Sequence, residues 1–488
     1  MTSYLGTKGY TLYKNSLSAK ELKEIIKELT VKPYIPKTIV KVTPFPLYRE
    51  SQQKIYLPRY YGIDKYGMIE TENSQRNKIT AGADICLDFK GSLRAYQINI
   101  VNKYVAAVGK QGGGLLEVDT GLGKTVIALN IISCLKKKTL IIVHKDFLLQ
   151  QWIERIEEFL PDARVGKIQG PIVDIEDKDI VIAMLQSLSM KSYPVSTFES
   201  FGFSIIDEVH HLGAEVFSQA FFKVVTNYAL GLSATMERKD GLTKVFKMFI
   251  GRIVHTEKRD TSDAKVLVKA IDYVTQDEEF NEIKYDFRGN PAYSSMIVKL
   301  CQYNRRSEFI LDVCEGLRKE NPAQQIMILA HNKSLLGYLY DGIEHRKIGT
   351  VGYYVGGMKQ TELKLSEGKE IIVATYAMAS EGLDIKTLAT LIMATPKTDI
   401  VQTVGRILRM PHKQPIVVDI IDKHELFRRQ FYQRKRFYVK QNYKIIRSSN
   451  ENFYNNKWNT IHDVGKRCNI DEEDPAKDTG LKKCMIKL

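Results

Sequence analysis

Short apolar runs alternate with helical segments through most of the chain beyond Gly91, and this alternation constrains the fold more than any other feature. The runs fall into two sets, a first at 114–118, 139–143, 180–184, 203–206 and 228–232 and a second at 325–330, 350–355, 370–374, 387–395 and 415–421. Strands that alternate with helices form parallel sheets that helices cover. The sequence therefore predicts an α/β fold with two tandem domains.

Other segments flank this pair of domains. A helical pattern at 17–29, where Ser18 and Glu21 have the spacing of a capping box, precedes Pro-rich, strand-like pieces and predicts a small α+β module. From about residue 448 an Asn-rich and acidic composition predicts poor order. The expected boundaries are 1–90 for the N-terminal module, 91–256 for domain one, 257–295 for a charged connector of unassigned fold, 296–422 for domain two, and 423–488 for a basic aromatic helix and tail.

The charge of the chain is strongly basic. Its 488 residues carry 72 Lys and Arg against 57 Asp and Glu, a formal net charge of +15. The excess lies on the flanks, because residues 1–90 hold 15 basic and 9 acidic side chains and residues 423–447 hold 9 and 1. Such an excess favours a polyanionic partner. No apolar run has the ~18 residues of a membrane span, and the six cysteines form no CxxC pair of a zinc site.

A glycine-rich stretch follows the first predicted strand and opens the next predicted helix. It reads Val118-Asp-Thr-Gly-Leu-Gly-Lys-Thr125, with Val118 where Gly or Ala is usual. Glycines let backbone N–H groups point at a phosphate, Lys124 supplies a cation for the β- and γ-phosphates, and the Thr125 hydroxyl can ligate Mg²⁺. The stretch predicts a nucleotide-binding loop made of Thr120, Gly121, Leu122, Gly123, Lys124 and Thr125.

Two adjacent acids, Asp207 and Glu208, end the apolar run at 203–206. A carboxylate in this place can hold Mg²⁺, often through water, and a second can orient or deprotonate an attacking water molecule. We therefore expect Asp207 to join Thr125 at the metal. Ser233 and Thr235 end the next run, where small hydroxyl side chains can couple an ATP site to its surroundings through hydrogen bonds.

The second domain carries the segment Gln402-Thr-Val-Gly-Arg-Ile-Leu-Arg409. Arg406 and Arg409 share a face if the segment is helical. A guanidinium there can stabilise charge on a transferring γ-phosphate as an arginine finger. A basic surface helix is the alternative for this octapeptide taken alone. Upstream, Gly382 allows close backbone approach, and Asp384 can accept a hydrogen bond from an arginine or from a ribose hydroxyl.

Taken in order, these segments resemble the motifs of the superfamily 2 helicases. The nucleotide-binding loop, the Asp-Glu-Val-His box at 207–210, the Ser-Ala-Thr triplet at 233–235, and the segments at 379–384 and 402–409 have family-like spacing. The resemblance, which covers about residues 91–421, implies two RecA-like domains with ATP and Mg²⁺ bound in the cleft. It assigns catalysis to Lys124, Asp207, Glu208, Gln402, Arg406 and Arg409.

Further segments are similar to the XPB- and UvsW-like branch of that superfamily. Leu93-Arg-Ala-Tyr-Gln97 resembles the entry motif of the branch, in which Arg94 and Gln97 help to read the adenine. Leu-Leu-Gln-Gln-Trp at 148–152 resembles a second branch segment. Residues 236–241 are similar to its Arg-Glu-Asp region, but Lys239 stands in place of the acid, so a duplex-opening role is not carried over.

The segments at 29–33 and 57–62 resemble helicases of large cytoplasmic DNA viruses, including the asfarvirus and poxvirus transcript-release type. This resemblance implies an ATP-dependent helicase or translocase acting 3′ to 5′ on DNA. Its expected process is viral transcription, through transcript release or termination, or DNA repair or recombination. It further implies a monomer that works with the viral transcription machinery, in the host cytoplasm at the viral factory or in the virion.

Nucleic acid is expected to cross the faces of both domains, and the resemblance places its contacts at His144, Lys145, Gln186, Ser187, His331, Asn332 and Thr375. The basic, aromatic stretch at 423–447 adds three phosphate-binding candidates, Arg434, Lys435 and Arg436. The alternative for this stretch is an amphipathic helix that packs on domain two, with a stripe formed by Phe427, Phe431, Tyr438 and Ile445.

Other functions share some of these motifs. A double-stranded DNA translocase would need all of them, and an RNA helicase stays open because discrimination of the 2′-hydroxyl is not readable here. A restriction-type motor subunit would need a nuclease partner, and the triad-like spacing of Asp84, Asp88 and Lys90 arises readily by chance. A non-catalytic nucleic-acid-binding subunit would have no need for Lys124 and Glu208 together with an arginine finger.

Overall fold

The computed structural model describes residues 3–34, 43–69, 76–211, 214–236, 241–258, 266–381, 385, 387–405, 407, 412 and 414–465. The chain divides into two compact units, Met1–Arg259 and Asp260–Leu488. No helix in the described ranges is both long enough and apolar enough to cross a membrane.

A small module opens the first unit. Its elements are β1 (Ser3–Gly6), β2 (Gly9–Tyr13), α1 (Ala19–Leu29), β3 (Thr30–Val31), β4 (Phe45–Pro46), β5 (Arg49–Glu50), β6 (Lys54–Leu57) and α2 (Arg59–Tyr66). Four strands form an antiparallel sheet in the order β1-β2-β6-β5. The predicted capping box at α1 is confirmed, because the Ser18 hydroxyl accepts from the Glu21 N–H and the Glu21 carboxylate accepts from the Ser18 N–H.

Helix α2 fixes this module to the rest of the first unit. The buried Arg59 guanidinium donates to the carbonyl oxygens of Thr226 and Asn227, at 3.1 and 2.9 Å. Beside it, the Tyr60 hydroxyl donates to the carbonyl of Gln111 at 3.0 Å. These bonds satisfy a buried charge with backbone acceptors, so the module is attached to the following domain rather than tethered loosely.

The first α/β domain follows in the same unit. Its elements are α3 (Ala95–Gln111), β7 (Gly113–Val118), α4 (Lys124–Leu135), β8 (Thr139–Val143), α5 (Asp146–Phe159), β9 (Val165–Gln169), β10 (Ile172–Val173), β11 (Ile180–Met184), α6 (Leu185–Met190), β12 (Phe203–Ile206), α7 (Ala214–Phe221), β13 (Tyr228–Ser233), α8 (Thr243–Ile250) and β14 (Ile253–Glu257). The strands lie in the order β10-β9-β11-β8-β12-β13-β7-β14, and every pair except β10-β9 is parallel. Nearly continuous burial of the central strands is typical of a sheet covered on both faces.

The second unit is another parallel α/β sheet. Its elements are β15 (Leu267–Tyr273), α9 (Glu278–Asn281), α10 (Tyr293–Gln302), α11 (Asn304–Glu320), β16 (Gln325–Ala330), α12 (Lys333–His345), β17 (Val351–Tyr354), α13 (Gln360–Glu367), β18 (Ile371–Thr375), α14 (Tyr376–Glu381), β19 (Leu388–Met393), α15 (Val401–Val404), β20 (Ile416–Asp422), α16 (Glu425–Lys440), β21 (Lys444–Ser449), α17 (Asn450–Phe453) and β22 (Asn459–His462). The order is β17-β18-β16-β19-β20-β15-β21-β22, and only β22 runs antiparallel to its neighbour.

The predicted fold class, two parallel α/β domains with an N-terminal α+β module and a basic helical extension, is confirmed. Two parts of the second sheet differ from the sequence-based expectation. Strand β15 comes from the segment 257–295, which the sequence left without a fold, and it lies between β20 and β21. Strands β21 and β22 extend order to residue 462, so the expectation of poor order from residue 448 is wrong for this part; residues 466–488 lie outside the described ranges.

Two buried ion pairs join helices to strand β20. On α11, the Arg306 guanidinium donates to both carboxylate oxygens of Asp422, at 2.6 and 2.8 Å. On α16, Arg434 donates to both oxygens of Asp419, each at 2.8 Å, and the Tyr438 hydroxyl donates to the same carboxylate at 3.0 Å. All four charged side chains are at most 1% exposed. Two carboxylates in one buried strand, on opposite faces of the sheet, are therefore each neutralised by forked hydrogen bonds.

Candidate active site

The sequence-predicted residues of the first unit lie at one edge of its sheet. Strands β7, β8, β12 and β13 are parallel neighbours, and the chain leaves each of them at the same edge. The glycine-rich loop follows β7, the two acids follow β12, and the Ser-Ala-Thr triplet begins at the last residue of β13. In open α/β sheets the carboxyl edge of the strands is where ligands bind.

The glycine-rich loop has the backbone shape that the sequence predicts. Gly121 and Gly123 have φ values of 85° and 81°, a region that residues with a Cβ rarely adopt. A Cβ on Gly123 would also lie 2.5 Å from the side-chain nitrogen of Gln97. Helix α4 begins at Lys124, and the N–H groups of a first helical turn lack carbonyl partners within the helix. The loop can therefore offer backbone donors and the helix dipole to a phosphate.

Helix α3 supports this loop from one side. The Gln97 side-chain nitrogen and the Tyr96 hydroxyl both donate to the carbonyl oxygen of Leu122, each at 3.0 Å. The Gln97 side-chain oxygen, Oε1, accepts from the Arg94 backbone N–H at 2.9 Å. Gln97 thus connects the start of α3 to the loop, a contact that the sequence did not predict. Adenine reading by Arg94 and Gln97 stays a prediction.

The two acids after β12 lie within reach of the loop. Lys124 Nζ donates to Glu208 Oε1 at 2.9 Å. Glu208 has a φ of 49°, a strained region for a residue other than glycine. Asp207 is buried, and this burial followed by the charge of Glu208 raises the pKa of its carboxyl group to about 6, against the opposing effect of Lys124. The charge of Lys124 therefore offsets part of the repulsion between two neighbouring carboxylates.

Trp152 is a site residue that the sequence analysis quoted but did not assign. Its indole Nε1–H donates to Asp207 Oδ2 at 2.9 Å, and the side chain is 1% exposed. The Glu208 N–H donates to the other oxygen, Oδ1, at 3.0 Å. A buried carboxylate held by two donors has a fixed orientation. Trp152 ends the Leu-Leu-Gln-Gln-Trp segment, so this segment positions the acid.

A chain of polar contacts leads from Glu208 to β13. The ring nitrogen Nδ1 of His210 lies 3.4 Å from Glu208 Oε2 and 2.6 Å from the Ser233 hydroxyl. The Thr235 N–H donates to the Ser233 oxygen at 3.2 Å. Coupling by Ser233 and Thr235 stays a prediction, but these contacts connect both residues to the acid through His210.

One cation lies between the loop and the last strand of this sheet. Lys258 Nζ is 3.0 Å from Glu117 Oε1 and 3.4 Å from Asp119 Oδ1, and the Asp119 N–H donates to the carbonyl of Glu257 at 3.0 Å. The end of β14 is therefore joined to the residues that begin the glycine-rich loop. The sequence analysis missed this contact because 139 residues separate Asp119 from Lys258.

The residues at this edge of the sheet fit a nucleoside triphosphate and a divalent cation. The loop offers backbone donors, and Lys124 offers an ammonium group on a side chain that is 12% exposed. Carboxylate and hydroxyl oxygens are the ligands that Mg²⁺ prefers. The Asp207 carboxylate has lone pairs beyond the two that its donors occupy. Thr125, in the first turn of α4, and Asp207 would hold the cation.

Among the predicted nucleic-acid contacts of the first unit, the structure brings Gln186 next to His144. Gln186 donates from its side chain to the carbonyl of His144 at 2.8 Å, so the ends of β11 and β8 are joined. Lys145 precedes α5, with Nζ 5.9 Å from the ring centre of Phe147. The Ser187 hydroxyl accepts from the Gly170 N–H at 2.9 Å, so this hydroxyl holds the backbone at the end of β9.

In the second unit, the predicted contacts follow neighbouring strands. His331 and Asn332 follow β16, and Thr375 ends the adjacent strand β18. The Asn332 side chain caps α12 by accepting from the Ser334 N–H. His331 Nδ1 lies 2.8 Å from the Thr395 hydroxyl; partial burial and then the charge of Lys397 lower the pKa of this histidine to about 4. The ring is therefore neutral at physiological pH and offers no charge to a phosphate.

Several predicted site residues lie outside the described ranges. Gln402 is a residue of helix α15. The residues that lie outside the described ranges are Gly382, Asp384, Arg406 and Arg409, together with Arg238, Lys239 and Asp240 of the predicted Arg-Glu-Asp-like region. Their roles stay predictions.

The structure corrects the expectation for two residues of helix α16. Arg434 was predicted to bind phosphates, but its guanidinium is buried and fully engaged by Asp419 and the carbonyl of Lys397. Lys435 is 4% exposed. Arg436 is exposed and remains a candidate. The packing alternative explains Phe427, Phe431 and Tyr438, which are buried on α16, whereas Ile445 lies on β21 and is not part of a helical stripe.

Comparisons with known proteins identify relatives of this chain. Residues 90–238 match the family model described as type III restriction enzyme, res subunit. A protein of Acanthamoeba polyphaga mimivirus, provisionally named ATP-dependent RNA helicase L396, is 38% identical over 449 residues, which cover 90% of this chain and 85% of that protein. The African swine fever virus protein QP509L, provisionally given the same type of name, is 29% identical over 391 residues and covers 75% of this chain and 76% of its own length.

A cellular relative extends the comparison. The protein named DNA 3′-5′ translocase XPB2 of Sulfurisphaera tokodaii is 26% identical over 401 residues, 75% of this chain and 89% of that protein. The predicted resemblance to helicases of large DNA viruses is confirmed by these matches. Because the mimivirus relative is 38% identical along nearly the whole chain, the chain belongs to the viral-type superfamily 2 helicases, enzymes that hydrolyse ATP and bind nucleic acid.

Proposed function

We propose that this helicase is a motor that moves 3′ to 5′ on DNA and separates strands, driven by ATP hydrolysis with Mg²⁺ as cofactor. The observation that carries the proposal is the contact between Lys124 and Glu208, because it joins a phosphate-binding loop to the acid that acts on water. The DNA substrate and the polarity are supported by the printed name of the Sulfurisphaera relative.

Each residue at the site has a separate task in ATP hydrolysis. The loop and Lys124 bind the β- and γ-phosphates, and a phosphate draws the Lys124 ammonium away from Glu208. Released from that pair, Glu208 can orient the attacking water and accept its proton. Mg²⁺, when bound, supplies positive charge that offsets the charge developing on the phosphates. Arg406 and Arg409 are proposed to add a guanidinium at the same stage.

His210 and Ser233 are proposed to carry the result of hydrolysis into the rest of the unit. His210 contacts both Glu208 and Ser233, so a change in the partner of Glu208 alters the contacts of the Ser-Ala-Thr triplet. Nucleic acid is proposed to lie at the carboxyl edges of the sheets, along His144, Lys145 and Gln186 in one unit and along Asn332 and Thr375 in the other. A cycle of such changes would advance the protein along a strand.

RNA is the second candidate substrate, because the relatives in mimivirus and African swine fever virus are both named for RNA helicases. Translocation on duplex DNA without strand separation is the remaining alternative. We propose viral transcription as the process, with the viral transcription machinery as partner and the host cytoplasm as the place of action. Transcript release needs a motor that follows one strand. A DNA strand or an RNA strand could serve as that track.

The test uses two substitutions that separate binding from turnover. In Lys124→Ala the phosphates lose their ammonium partner, and in Glu208→Gln the base is lost while the shape is kept. We expect ATP turnover to fall by about two orders of magnitude or more in both, while nucleic-acid affinity measured without ATP stays unchanged. Lys110→Ala, on the same unit but at the end of α3, is the control. Full turnover in either variant would contradict the proposed mechanism.

Substrate and polarity need a second measurement on the unaltered chain. ATP turnover is compared with single-stranded DNA, duplex DNA and RNA, and strand displacement is measured on duplexes with a 3′ or a 5′ overhang. The proposal expects displacement from a 3′ DNA overhang. Displacement only with RNA would support the second candidate, and stimulation by duplex DNA without displacement would support translocation alone.

A further inference from the structure

The N-terminal sheet has one buried face and one face that carries tyrosines. Along β1, β2 and β6 the residues Leu5, Leu12 and Ile55 are buried in the core. Alternation places the residues between them on the opposite face. Register pairs Tyr4 with Thr11, Thr11 with Tyr56, and Tyr13 with Lys54 across the three strands. The outer face therefore presents three aromatic rings on adjacent strands, Tyr4, Tyr13 and Tyr56.

Three lysines lie over these rings. Lys54 Nζ is 5.3 Å from the ring centre of Tyr4 and 4.9 Å from that of Tyr13. Lys78 Nζ lies 4.7 Å from the Tyr4 centre, and Lys8 Nζ lies 5.1 Å from the Tyr56 centre. The rings of Tyr4 and Tyr13 are themselves neighbours, with centroids 6.1 Å apart. We call this set of three tyrosines and three lysines the Tyr–Lys face.

The Tyr–Lys face carries an uncompensated positive charge. Among the described residues, no carboxylate lies within 4 Å of the ammonium groups of Lys8, Lys54 and Lys78. Lys14, at one end of β2, is different because it pairs with Glu50 at 2.6 Å. Lysines that gather over aromatic rings without an acid suit a ligand that brings both negative charge and flat rings.

We propose that the Tyr–Lys face binds single-stranded nucleic acid, with bases stacked on the tyrosines and phosphates paired with the lysines. Bases stack on tyrosine rings irrespective of sequence, and the three ammonium groups supply positive charge for the phosphates of the strand. This face is built from residues other than those at the ATP site and at the carboxyl edge of the sheet in the first unit. The proposal rests on the proposed function in taking nucleic acid as the substrate.

A single strand fits this face better than a duplex does. In a duplex the bases are stacked on one another and paired, so the tyrosine rings would have no partner and only the lysines would contribute. The face lies on the module that Arg59 and Tyr60 fix to the first unit. A strand held there is anchored to the same compact unit that carries the glycine-rich loop.

The first experiment removes the charges and keeps the fold. In the full chain, Lys8, Lys54 and Lys78 are replaced together by Gln, and affinity for a fluorescein-labelled single-stranded oligonucleotide is measured without ATP over a range of salt. Each lost phosphate contact lowers the salt slope by about 0.7 for single strands, so we expect a slope smaller by roughly 2 and an affinity at least about tenfold weaker at low salt.

The matched control removes the same charge elsewhere on the module. Lys20, Lys23 and Lys27 are exposed on helix α1, away from the Tyr–Lys face. Replacing these three by Gln changes the net charge equally, so it measures the general electrostatic effect. Equal slopes and equal affinities in the two triple variants would overturn the proposal.

The second experiment tests stacking. Tyr13→Leu with Tyr56→Leu keeps apolar bulk on the sheet and removes the rings, and binding is compared for a normal oligonucleotide and for one with abasic sites. The unaltered chain should prefer the normal strand by at least about fivefold, and this preference should disappear in the double variant. A preference that survives in the variant would show that the bases stack elsewhere and would overturn the stacking part.

The two proposals fail in different ways. If the unaltered chain hydrolyses ATP in response to nucleic acid and the Tyr–Lys variants bind like the controls, only the inference about this face is wrong. If the unaltered chain shows no such response, the proposed function is wrong. Tighter binding of duplex than of single strands at the face, lost in the lysine variant, would replace the single strand by a duplex as ligand and so overturn the proposal as stated.

Discussion

The indole of Trp152 decides how one carboxylate of the active site is held. Asp207 is buried in surroundings that favour its neutral form, and the hydrogen bond from Trp152 opposes this by favouring the charged form. The same bond fixes the direction in which the free lone pairs point. Trp152 is therefore a positioning residue for the acid that would hold Mg²⁺.

Trp152→Phe should separate positioning from nucleotide binding. A hydrogen bond to a charged acceptor is worth about 1.5–3 kcal/mol, so we expect kcat to fall by about tenfold or more while the affinity for the nucleotide, which the loop and Lys124 bind, changes little. Steady-state ATPase kinetics and equilibrium binding of a fluorescent nucleotide measure the two effects. Trp458→Phe, in the second unit, is the control.

An equal loss of nucleotide affinity and kcat in Trp152→Phe would contradict the positioning role, because it would indicate general damage to the unit. Circular dichroism of the variant and an unchanged unfolding midpoint exclude that case. Trp458→Phe should retain full activity in the same assays.

At the scale of residues, the sequence predicts contacts that are local and misses those that are distant. The loop from Thr120 to Thr125 is one contiguous stretch, so its glycine conformations follow from the pattern. The contact from Trp152 to Asp207 spans 55 residues, and no local pattern indicates it. Arg434 looked like a phosphate ligand because its run is basic, yet its partner Asp419 lies in the preceding strand.

At the scale of elements, strand β20 organises the second unit. It carries Asp419 and Asp422 in its buried interior, and helices α11 and α16 each bring an arginine to it. A buried carboxylate is costly without its partner, whereas the intact pair is close to neutral in its effect on stability. The packing of α16 on the sheet therefore depends on Arg434.

Arg434→Met should destabilise the second unit strongly. The change leaves the Asp419 charge buried, and breaking such a pair typically costs about 3–5 kcal/mol in the free energy of unfolding. Urea unfolding followed by circular dichroism measures the change. Arg436→Met, on the exposed side of the same helix, should shift stability by only about 0.5 kcal/mol.

A double variant shows whether the ion pair is the cause. Arg434→Met combined with Asp419→Leu removes both charges, so it should be more stable than Arg434→Met alone. If the double variant is the less stable of the two, the loss comes from packing of the long side chain and not from the unpaired charge.

Strands with an unbroken apolar sequence were predicted well, and a strand that contains charged side chains was missed. The apolar runs of β7, β8 and β16 are continuous, and the sequence-based bounds of β8 and β16 coincide with the observed ones while β7 begins a single position earlier than predicted. Strand β15 was missed because its pattern, Leu-Val-Lys-Ala-Ile-Asp-Tyr, contains two charged side chains. The structure supplies their partners, since Lys269 pairs with Glu320 and Asp272 pairs with Arg447.

At the scale of the whole molecule, each unit has its own interior. Within the described residues, two buried apolar clusters belong to the first unit and two to the second, and none contains residues of both. A unit that buries its apolar surface internally can fold by itself. Stability and function can therefore be measured for each unit in turn.

Residues 1–259 and 260–488 expressed separately should each unfold cooperatively. The first piece contains the glycine-rich loop, so it should bind a fluorescent nucleotide, and Lys124→Ala in the same piece should lose that binding. Calorimetry and nucleotide titration check both expectations. An unfolded first piece, or one that binds nucleotide only when the second piece is added, would show that the units depend on each other for folding.

The chain has two tryptophans, one in each unit, and this distribution has a practical consequence. Trp152 lies against a carboxylate of the ATP site, and the ring of Trp458 lies 5.6 Å from Lys269 Nζ. Charge beside an indole changes the wavelength and the intensity of its emission. In a Trp458→Phe chain all indole fluorescence arises next to Asp207. We therefore expect the emission of Trp152 to change when a metal–nucleotide complex binds and again when it leaves, without any added label.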